Sequence, residues 1–224
     1  MSFRLLIAGG TGQVGSAVVR AMLACPECSD VVAIVRKPGA LPPDPRLNQV
    51  VLDTAADDFE AEVMRLARSS AAMGKPLYAA SCIGIGAGSR KWSDEEITKL
   101  EVGLVGAFAR GCQAAGVTRF GLLSAAGSTP TSFIRYARLM GKKEEAVKAT
   151  GFQQLAIFRP GIIAGNVHTP AYAAWLGRLI PGPFGTVDQD DIGRAFVAEL
   201  LQAAPGLTLL DNTSMKQRSR ELGR

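Results

Sequence analysis

The sequence predicts a single doubly wound α/β domain built on one parallel sheet. Short apolar strands alternate with helical stretches along the whole chain, and no repeat, low-complexity segment or linker divides its 224 residues. Continuous apolar strands separated by helices are typical of a parallel sheet that is covered on both faces. We therefore expect one domain over residues 1–224.

The elements follow one another in a regular order. The first strand begins at Phe3 and runs into a glycine-rich turn, which the pattern continues as a helix over 13–24. Further apolar runs predict strands at 31–35, 49–52, 77–82, 118–123, 155–158 and 207–210. Helical patterns lie between them, at 57–70, 93–115, 134–149 and 188–203. The prolines between 38 and 45 indicate a loop after the second strand and not a domain boundary.

The turn after the first strand carries the most specific motif. Gly10, Gly12 and Gly15 fit the spacing G-x-G-x-x-G, and Gly9, Gly12 and Gly15 fit G-x-x-G-x-x-G. Glycine at such positions permits a tight turn, lets the backbone approach a pyrophosphate and lets the helix pack on the strand. The following helix would present its free N–H groups and positive dipole end to phosphates. The motif predicts a dinucleotide site, with a ligand-free glycine turn as the alternative.

The end of the second strand bears on which dinucleotide binds. A carboxylate there would bind the ribose hydroxyls of NAD, whereas an arginine accommodates the 2′-phosphate of NADP. Arg36 occupies this position with Lys37 beside it, which favours NADP (NADPH); two solvated basic side chains are the alternative. Asp53, after the third strand, would either accept a hydrogen bond from the adenine amine or serve as a turn residue.

Composition and charge exclude several classes of protein. The net charge of +5 is concentrated in a basic tail at 212–224, which we expect to be solvated and poorly ordered. No aromatic residues are interleaved with these charges, so we expect no nucleic-acid binding. No apolar run approaches the ~20 residues of a membrane span. The first residues resemble neither a secretory signal nor a mitochondrial presequence, so we expect a soluble, cytoplasmic protein.

Cysteine and histidine offer no metal site. Cys25 and Cys28 form C-x-x-C, but Cys82 and Cys112 stand alone, so we expect reduced thiols and not a zinc or redox centre. His168, the only histidine, has no cluster of potential ligands around it in the sequence. It would lie in a surface loop or in a substrate pocket.

The chain resembles the atypical short-chain dehydrogenases/reductases, and most of all their Tat-interacting-protein-like NADP-binding oxidoreductases. The residues that carry the resemblance run from Phe3 to about Leu210 in the family's order: Gly-Gly-Thr-Gly-Gln-Val-Gly at 9–15, Arg36, Cys-Ile-Gly at 82–84, Leu-Leu-Ser-Ala-Ala-Gly at 122–127, Tyr136 and Phe-Arg-Pro-Gly at 158–161. The resemblance implies a Rossmann fold, a nicotinamide cofactor and a small-molecule substrate, without implying an oligomeric state.

The resemblance also implies the residues of the cofactor site, each at or after the carboxyl end of a strand. The pyrophosphate turn would comprise Gly9, Thr11, Gly12, Gln13 and Val14. Arg36 and Lys37 would contact the 2′-phosphate, and Asp53 would contact the adenine. The stretch Ser81, Cys82, Ile83 and Gly84 would pass along the cofactor. The stretch Pro160 to Ile162 would contact the nicotinamide.

Two residues take catalytic roles by the same resemblance: Ser124 as the active-site serine and Tyr136 as the catalytic tyrosine. In the family a lysine follows the tyrosine by four residues, and its ammonium lowers the phenol pKa. Here Met140 holds that place, and Lys143 lies ~10 Å from Tyr136 along the helix, which makes it a poor replacement. We expect the pKa of Tyr136 to stay near ~10.

Two functions follow from these features. The first is an NADPH-dependent reductase of a small carbonyl compound, in which Tyr136 donates the proton and Ser124 orients the carbonyl. The second is a non-catalytic NADP(H)-binding regulator or redox sensor, which the loss of the lysine favours. Residues 164–187, with Tyr172, Trp175, Leu176 and Phe184, would form a short substrate cap. Trp92 would pack either over the site or against the core.

Overall fold

The computed structural model describes residues 2–85, 92–164, 182–202 and 204–223. A seven-stranded parallel sheet lies at its centre. Its strands are β1 (Phe3–Ala8), β2 (Cys28–Val35), β3 (Leu47–Val51), β4 (Leu77–Ser81), β5 (Arg119–Leu123), β6 (Gln154–Phe158) and β9 (Gly206–Leu210). Across the sheet they are arranged in the order β3-β2-β1-β4-β5-β6-β9. Two short strands, β7 (Ile162–Ala164) and β8 (Thr186–Asp188), pair in parallel outside this sheet.

Helices cover both faces of the sheet, as continuous apolar strands require. They are α1 (Gln13–Ala24), α2 (Phe59–Ala71), α3 (Asp94–Ile97), a π-helix (Thr98–Leu104), α4 (Val105–Ala114), α5 (Arg135–Lys148), α6 (Gln189–Leu201) and α7 (Asn212–Leu222), with a 3₁₀ turn at Gly182–Phe184. One apolar core joins the sheet to α1, α6 and α7, and the other joins it to α2, α4 and α5. The predicted doubly wound α/β fold is confirmed.

The helix predicted over 93–115 is interrupted by a change in helical type. Ser93 caps its start, because its hydroxyl accepts from the N–H of Glu96 at 3.1 Å and its own N–H donates to the Glu96 carboxylate at 2.7 Å. The π-helix then follows directly and places Glu101, which is fully buried, on the face toward the protein. No signal in the sequence predicted this segment, because the apolar spacing of one π turn is too short to recognise.

The expectation of a poorly ordered basic tail is wrong. Residues 212–222 form α7, whose Met215 is fully buried, and Asp211 caps it by accepting from the N–H of Ser214 at 2.8 Å. Arg218 donates to the buried carboxylate of Glu199 on α6 at 2.6 Å. Lys216, Arg218 and Arg220 thus lie on a packed helix, and the two apolar residues among these charges, Met215 and Leu222, were too weak a signal.

The predicted substrate cap lies largely outside the described residues, as do His168, Tyr172, Trp175 and Leu176. Its two ends are described and adjacent, because Ile162 of β7 pairs with Thr186 of β8. Asn212 fixes them together: its side-chain oxygen accepts from the N–H of Gly161 at 3.0 Å, and its amide donates to the carbonyl of Gly185 at 2.7 Å.

Candidate functional site: the carboxyl edge of the sheet

The glycine turn brings three segments into close contact. Gly9 has φ +81°, and a Cβ there would lie 2.5 Å from the backbone of Cys82 and Ile83. A Cβ on Gly15 would overlap the carbonyl oxygen of Gly9, to which Gly12 donates its N–H at 3.1 Å. A Cβ at Gly10 would make a tight contact of 3.3 Å with the side chain of Val19 and would overlap no backbone atom. Gly9 and Gly15 are therefore the two positions of the motif at which the turn leaves no room for a side chain.

The start of α1 suits an anionic ligand. Gly12 is the N-cap and offers no side chain to the first N–H groups, and no acidic residue lies in the first turn. Thr11 and Gly12 are exposed at this end, whereas Val14 is buried beneath it. The N–H groups at this helix N-terminus are uncapped by any side chain, and the neighbouring glycines leave the space in front of them open. A pyrophosphate requires both features. These residues fit the dinucleotide.

The residues predicted to hold the adenosine end lie at the ends of β2 and β3. Arg36 and Lys37 are exposed, and neither takes part in an ion pair formed by the described residues. Asp53 is also exposed, and its Oδ1 accepts from the N–H of Ala55 at 2.9 Å. Asp53 thus closes a turn before α2. Its contact with adenine stays a prediction.

The segment after β4 lies against the glycine turn. Ser81 is fully buried, and its hydroxyl has no hydrogen-bond partner among the described residues. Cys82 donates its N–H to Ala8 at 2.8 Å, and burial raises the pKa of its thiol to about 12, although nearby Lys143 lowers it in part. The thiol is therefore protonated at neutral pH. The carbonyl of Ile83 accepts from Lys143 at 3.4 Å.

Ser124 follows β5 and belongs to a buried polar network. Its hydroxyl donates to Oε1 of Glu144 at 2.6 Å and lies 3.2 Å from the hydroxyl of Ser128. The Glu144 carboxylate, which is 1% exposed, also accepts from Arg159 Nε at 2.9 Å and from Arg159 Nη2 at 2.5 Å. Hydrogen bonding to this carboxylate raises the pKa of Arg159. Glu144 and Arg159 thus fix the position of Ser124.

Tyr136 is half-buried in the first turn of α5. Together with Ala125 and Ile85 it packs on a small apolar cluster formed by Ile97, Leu139 and Met140. Burial raises the pKa of the Tyr136 phenol, and the nearby Glu101 carboxylate raises it further. The expectation of a pKa near its ordinary value is wrong, because it considered the missing ammonium but neither burial nor Glu101.

Three cations of α5 have partners other than Tyr136. Lys143, 2% exposed, donates to Glu101 at 2.9 Å. Arg135 forms an ion pair with Asp94 and donates to the carbonyl of Trp92, and Arg138 donates to the carbonyl of Ser132 at 3.0 Å. Met140, at the position of the family's lysine, is 1% exposed. A buried methionine thus holds the position of the family's lysine, and the nearby ammonium of Lys143 is bound to Glu101.

The nicotinamide end of the predicted site lies beside Ser124. Ala126 donates its N–H to the carbonyl of Pro160 at 2.8 Å, and Ile162 donates to Gly185 at 2.9 Å. Phe184, which is 59% exposed, has its ring against Gly127. Trp92 is 42% exposed, so it is not a core residue. Pro160 is thus bonded to the segment that follows Ser124, and the contacts of Pro160 and Ile162 with the nicotinamide stay a prediction.

Sequence reasoning missed three residues of this region, namely Glu101, Glu144 and Arg159. Each is a charged residue that approaches a buried or half-buried position only through packing of distant segments. The available signal was a carboxylate on the apolar face of a predicted helix, which both Glu101 and Glu144 show.

A cavity of about 560 Å³ beside the end of α1, lined by Arg20, Glu27 and Arg194, contains none of the predicted site residues.

Comparison with known proteins identifies the family. Residues 9–204 match the model of a family described as NAD(P)H-binding. The chain belongs to this NAD(P)H-binding family. The cofactor of this family is a small molecule, a nicotinamide nucleotide. The resemblance to atypical short-chain dehydrogenases/reductases is confirmed.

Relatives and solved structures agree with this membership. The mitochondrial protein fmp52 of Aspergillus clavatus is 31% identical over 211 residues, covering 88% of this chain and 87% of the relative. The Bordetella bronchiseptica enzyme WbmH, solved with NAD+, has a TM-score of 0.71 at 16% identity, over 94% of this chain and 76% of that one. The Lactococcus lactis oxidoreductase ylbE has a TM-score of 0.70 at 17% identity, over 98% and 96%. At such identities these structures show the fold alone.

The relatives correct one prediction. The fmp52 proteins of A. clavatus, A. fumigatus and Emericella nidulans are all named mitochondrial, which contradicts the expected cytoplasmic location. That expectation relied on the absence of a recognisable presequence, and a targeting signal need not be a separate segment ahead of the fold. Across 2–85, 92–164, 182–202 and 204–223, no helix combines the length and hydropathy that a membrane crossing needs.

Proposed function

We propose that this member of the NAD(P)H-binding family is an NADPH-dependent reductase of small carbonyl compounds. The observation that carries the proposal is the position of Tyr136, a phenol kept protonated, beside the segments that follow β4 and β5. The glycine turn lies at the same carboxyl edge, where open parallel sheets bind their ligands. A proton donor thus lies close to the site that fits the dinucleotide.

The choice of NADPH over NADH is supported by the ends of β2 and β3. Arg36 and Lys37 are exposed cations without carboxylate partners in the described part of the chain, and a guanidinium binds a phosphate through two hydrogen bonds. Asp53, the nearest acidic residue after β3, already accepts from the backbone of its own turn. The 2′-phosphate of NADPH would therefore meet positive charge without competition.

The direction of the reaction follows from the state of Tyr136. When bound, the reduced nicotinamide supplies the hydride for the carbonyl carbon. A protonated phenol can donate a hydrogen bond to the carbonyl oxygen and then its proton, whereas alcohol oxidation would require the phenolate. The raised pKa of Tyr136 thus favours reduction at neutral pH. Ser124 would orient the carbonyl by turning its hydroxyl from Glu144, which keeps two hydrogen bonds from Arg159.

A second candidate function is supported by specific observations in the same site. Met140 is buried in an apolar cluster where the family has its lysine, and the hydroxyl of Ser124 already donates to Glu144. Both features would be expected in a protein that keeps the nucleotide site and has lost proton transfer. The alternative is a non-catalytic NADP(H)-binding regulator or redox sensor.

Titration with NADPH, NADH and their oxidised forms, followed by nicotinamide fluorescence, tests the nucleotide site. We expect NADPH to bind at least about tenfold more tightly than NADH, because the 2′-phosphate gains charge-assisted hydrogen bonds. Turnover of a carbonyl panel then separates the two functions. Slow NADPH oxidation that Tyr136→Phe abolishes supports the reductase, and tight binding without turnover supports the regulator. Equal affinities for NADPH and NADH would refute the NADPH assignment.

A further inference from the structure

Glu101 and Lys143 form an ion pair that is almost completely buried. Their side chains are 0% and 3% exposed, and Lys143 Nζ donates to Glu101 Oε2 at 2.9 Å. The carboxylate comes from the π-helix and the ammonium from α5, the helix that carries Tyr136. The pair therefore joins two helices beneath the candidate site.

Both members of the pair also bind the chain that follows β4. Lys143 Nζ donates to the carbonyl of Ile83 at 3.4 Å, and Glu101 Oε1 accepts from the N–H of Ile85 at 2.8 Å. Gly84 lies between these two hydrogen bonds, and a Cβ there would be in van der Waals contact with Glu101 Oε1 at 3.4 Å. The segment 82–85 is thus fixed from one side by two side chains.

The other side of this segment faces the glycine turn. A Cβ at Gly9 would lie 2.5 Å from the backbone of Cys82 and of Ile83, so turn and segment are in direct contact. Any shift of residues 82–85 toward the turn would narrow the nucleotide cradle, and any shift away would open it. The ion pair is bonded to the same segment through the carbonyl of Ile83 and the N–H of Ile85.

We propose that Glu101 and Lys143 are positioning residues that hold segment 82–85 against the glycine turn at the separation that the nicotinamide nucleotide needs. The inference rests on the proposed nucleotide site and adds residues that do not touch the nucleotide. It also assigns a role to the ammonium of Lys143, which binds the backbone carbonyl of Ile83 beside the proposed cofactor site.

Stability alone is a poor explanation for this pair. A buried ion pair is often no more stabilising than well-packed apolar residues of similar volume, because both charges lose their hydration. π-helical turns are rare and occur frequently at functional sites, and this one delivers Glu101. Apolar residues could not form the hydrogen bonds that Lys143 and Glu101 make to the backbone of Ile83 and Ile85.

Two double variants test the proposal. Glu101→Met with Lys143→Met removes both charges and both hydrogen bonds to the segment. Glu101→Gln with Lys143→Met removes the charges but keeps an amide oxygen for the N–H of Ile85. Glu60→Met with Arg110→Met, an exposed pair between α2 and α4, is the matched control. Hydrogen exchange of the nucleotide-free protein, thermal unfolding and NADPH titration are measured for each.

We expect the double-methionine variant to exchange the amide of Ile85 faster and to bind NADPH about tenfold more weakly, as two lost net hydrogen bonds would produce. The Gln/Met variant should keep the protection of Ile85 and lose about threefold in affinity. Wild-type affinity in both variants, or unchanged exchange at Ile85 in the double-methionine variant, would overturn the proposal. If the double-methionine variant does not fold, an unchanged affinity in the Gln/Met variant overturns it.

Failure of the proposed function would look different. A wild-type protein that binds none of the nicotinamide nucleotides would refute the nucleotide site, and with it the purpose assigned to the pair. Exchange at Ile85 would still report whether the pair holds segment 82–85. The two ideas are therefore separable by measurements on the same samples.

Discussion

The hydroxyl of Ser124 donates to the carboxylate of Glu144 at 2.6 Å, and both side chains are buried. The serine that the family places in its active site is thus bound to a carboxylate in this chain. Because a hydroxyl has a single proton, Ser124 can donate to a substrate only by leaving Glu144. Of the two residues to which the resemblance assigns catalysis, Tyr136, with its raised pKa, would then be the donor to a carbonyl oxygen.

Replacing Arg36 should remove the preference for NADPH. In Arg36→Ala, affinity for NADPH should fall about tenfold while affinity for NADH changes little, because only the 2′-phosphate loses a charge-assisted partner. Fluorescence titration of both nucleotides measures the change. Arg110→Ala, an exposed arginine on α4, is the control and should leave both affinities as they are. An equal loss for both nucleotides would mean that Arg36 does not recognise the phosphate.

Restoring the family's lysine should increase turnover at a cost in stability. Met140→Lys places an ammonium one helical turn from Tyr136, where it would lower the phenol pKa and make the protonated phenol a stronger acid toward the carbonyl oxygen. The pH above which reduction declines should move down toward neutrality, because the phenol would lose its proton at lower pH. Because Met140 is buried beside Ile97 and Leu139, the substitution should also lower the free energy of unfolding by about 2–4 kcal/mol. Carbonyl turnover with NADPH at several pH values and thermal unfolding measure both effects.

The control for that substitution is Met140→Leu, which keeps the apolar volume. It should cost less than about 1.5 kcal/mol and leave turnover at the wild-type level. If Met140→Lys binds NADPH and still shows no gain in turnover, the missing lysine does not explain weak chemistry. The regulator would then be the better interpretation.

Gly141 should tolerate no side chain. A Cβ there would overlap the backbone of Thr129 and Pro130 in the loop between β5 and α5. Gly141→Ala should therefore lower the free energy of unfolding by about 1–3 kcal/mol and displace the loop that leads to Tyr136. Gly103→Ala, in the π-helix, meets no atom closer than 3.8 Å and should be neutral or slightly stabilising. Thermal unfolding compares them; equal effects would refute the contact.

Asp30 should make stability depend on pH in the acid range. Burial alone would raise the pKa of Asp30, but hydrogen bonds from Arg4 and Ser29 outweigh it and the pKa lies below its usual value. A depressed carboxyl pKa stabilises the fold above the unfolded value of ~3.9, and this stability is lost as pH falls through the folded value. Asp30→Asn should therefore be less stable than the wild type at pH 7, and the difference should shrink below about pH 4.

The size of that effect follows from burial. Arg4 is 8% exposed and Asp30 27%, so the loss at neutral pH should be about 2 kcal/mol, less than for a fully buried pair. Urea unfolding at pH 7 and pH 3 measures it. Asp190→Asn removes the exposed pair with Arg20 and should show little change at either pH. A constant difference between wild type and Asp30→Asn at both pH values would contradict the assignment.

The sequence by itself determined the fold and the nucleotide turn, because both depend on local patterns. Apolar runs of strand length between helical patterns specify a parallel sheet, and the spacing of Gly9, Gly12 and Gly15 predicts a turn in which Gly9 and Gly15 leave no room for a side chain. The replacement of the family's lysine by Met140 was also readable directly, since it depends only on spacing within one helix.

Only the tertiary structure decided how the charged residues are used. Lys143 and Glu101 are 42 positions apart, and Arg159 lies 15 residues from Glu144, so no local pattern pairs them. Burial and nearby charge set a side chain's pKa, and both are products of packing; the sequence therefore misjudged Tyr136 and the basic tail. Local spacing fixes which residues share a helix or a turn. Which charges meet in the interior depends on how distant segments pack.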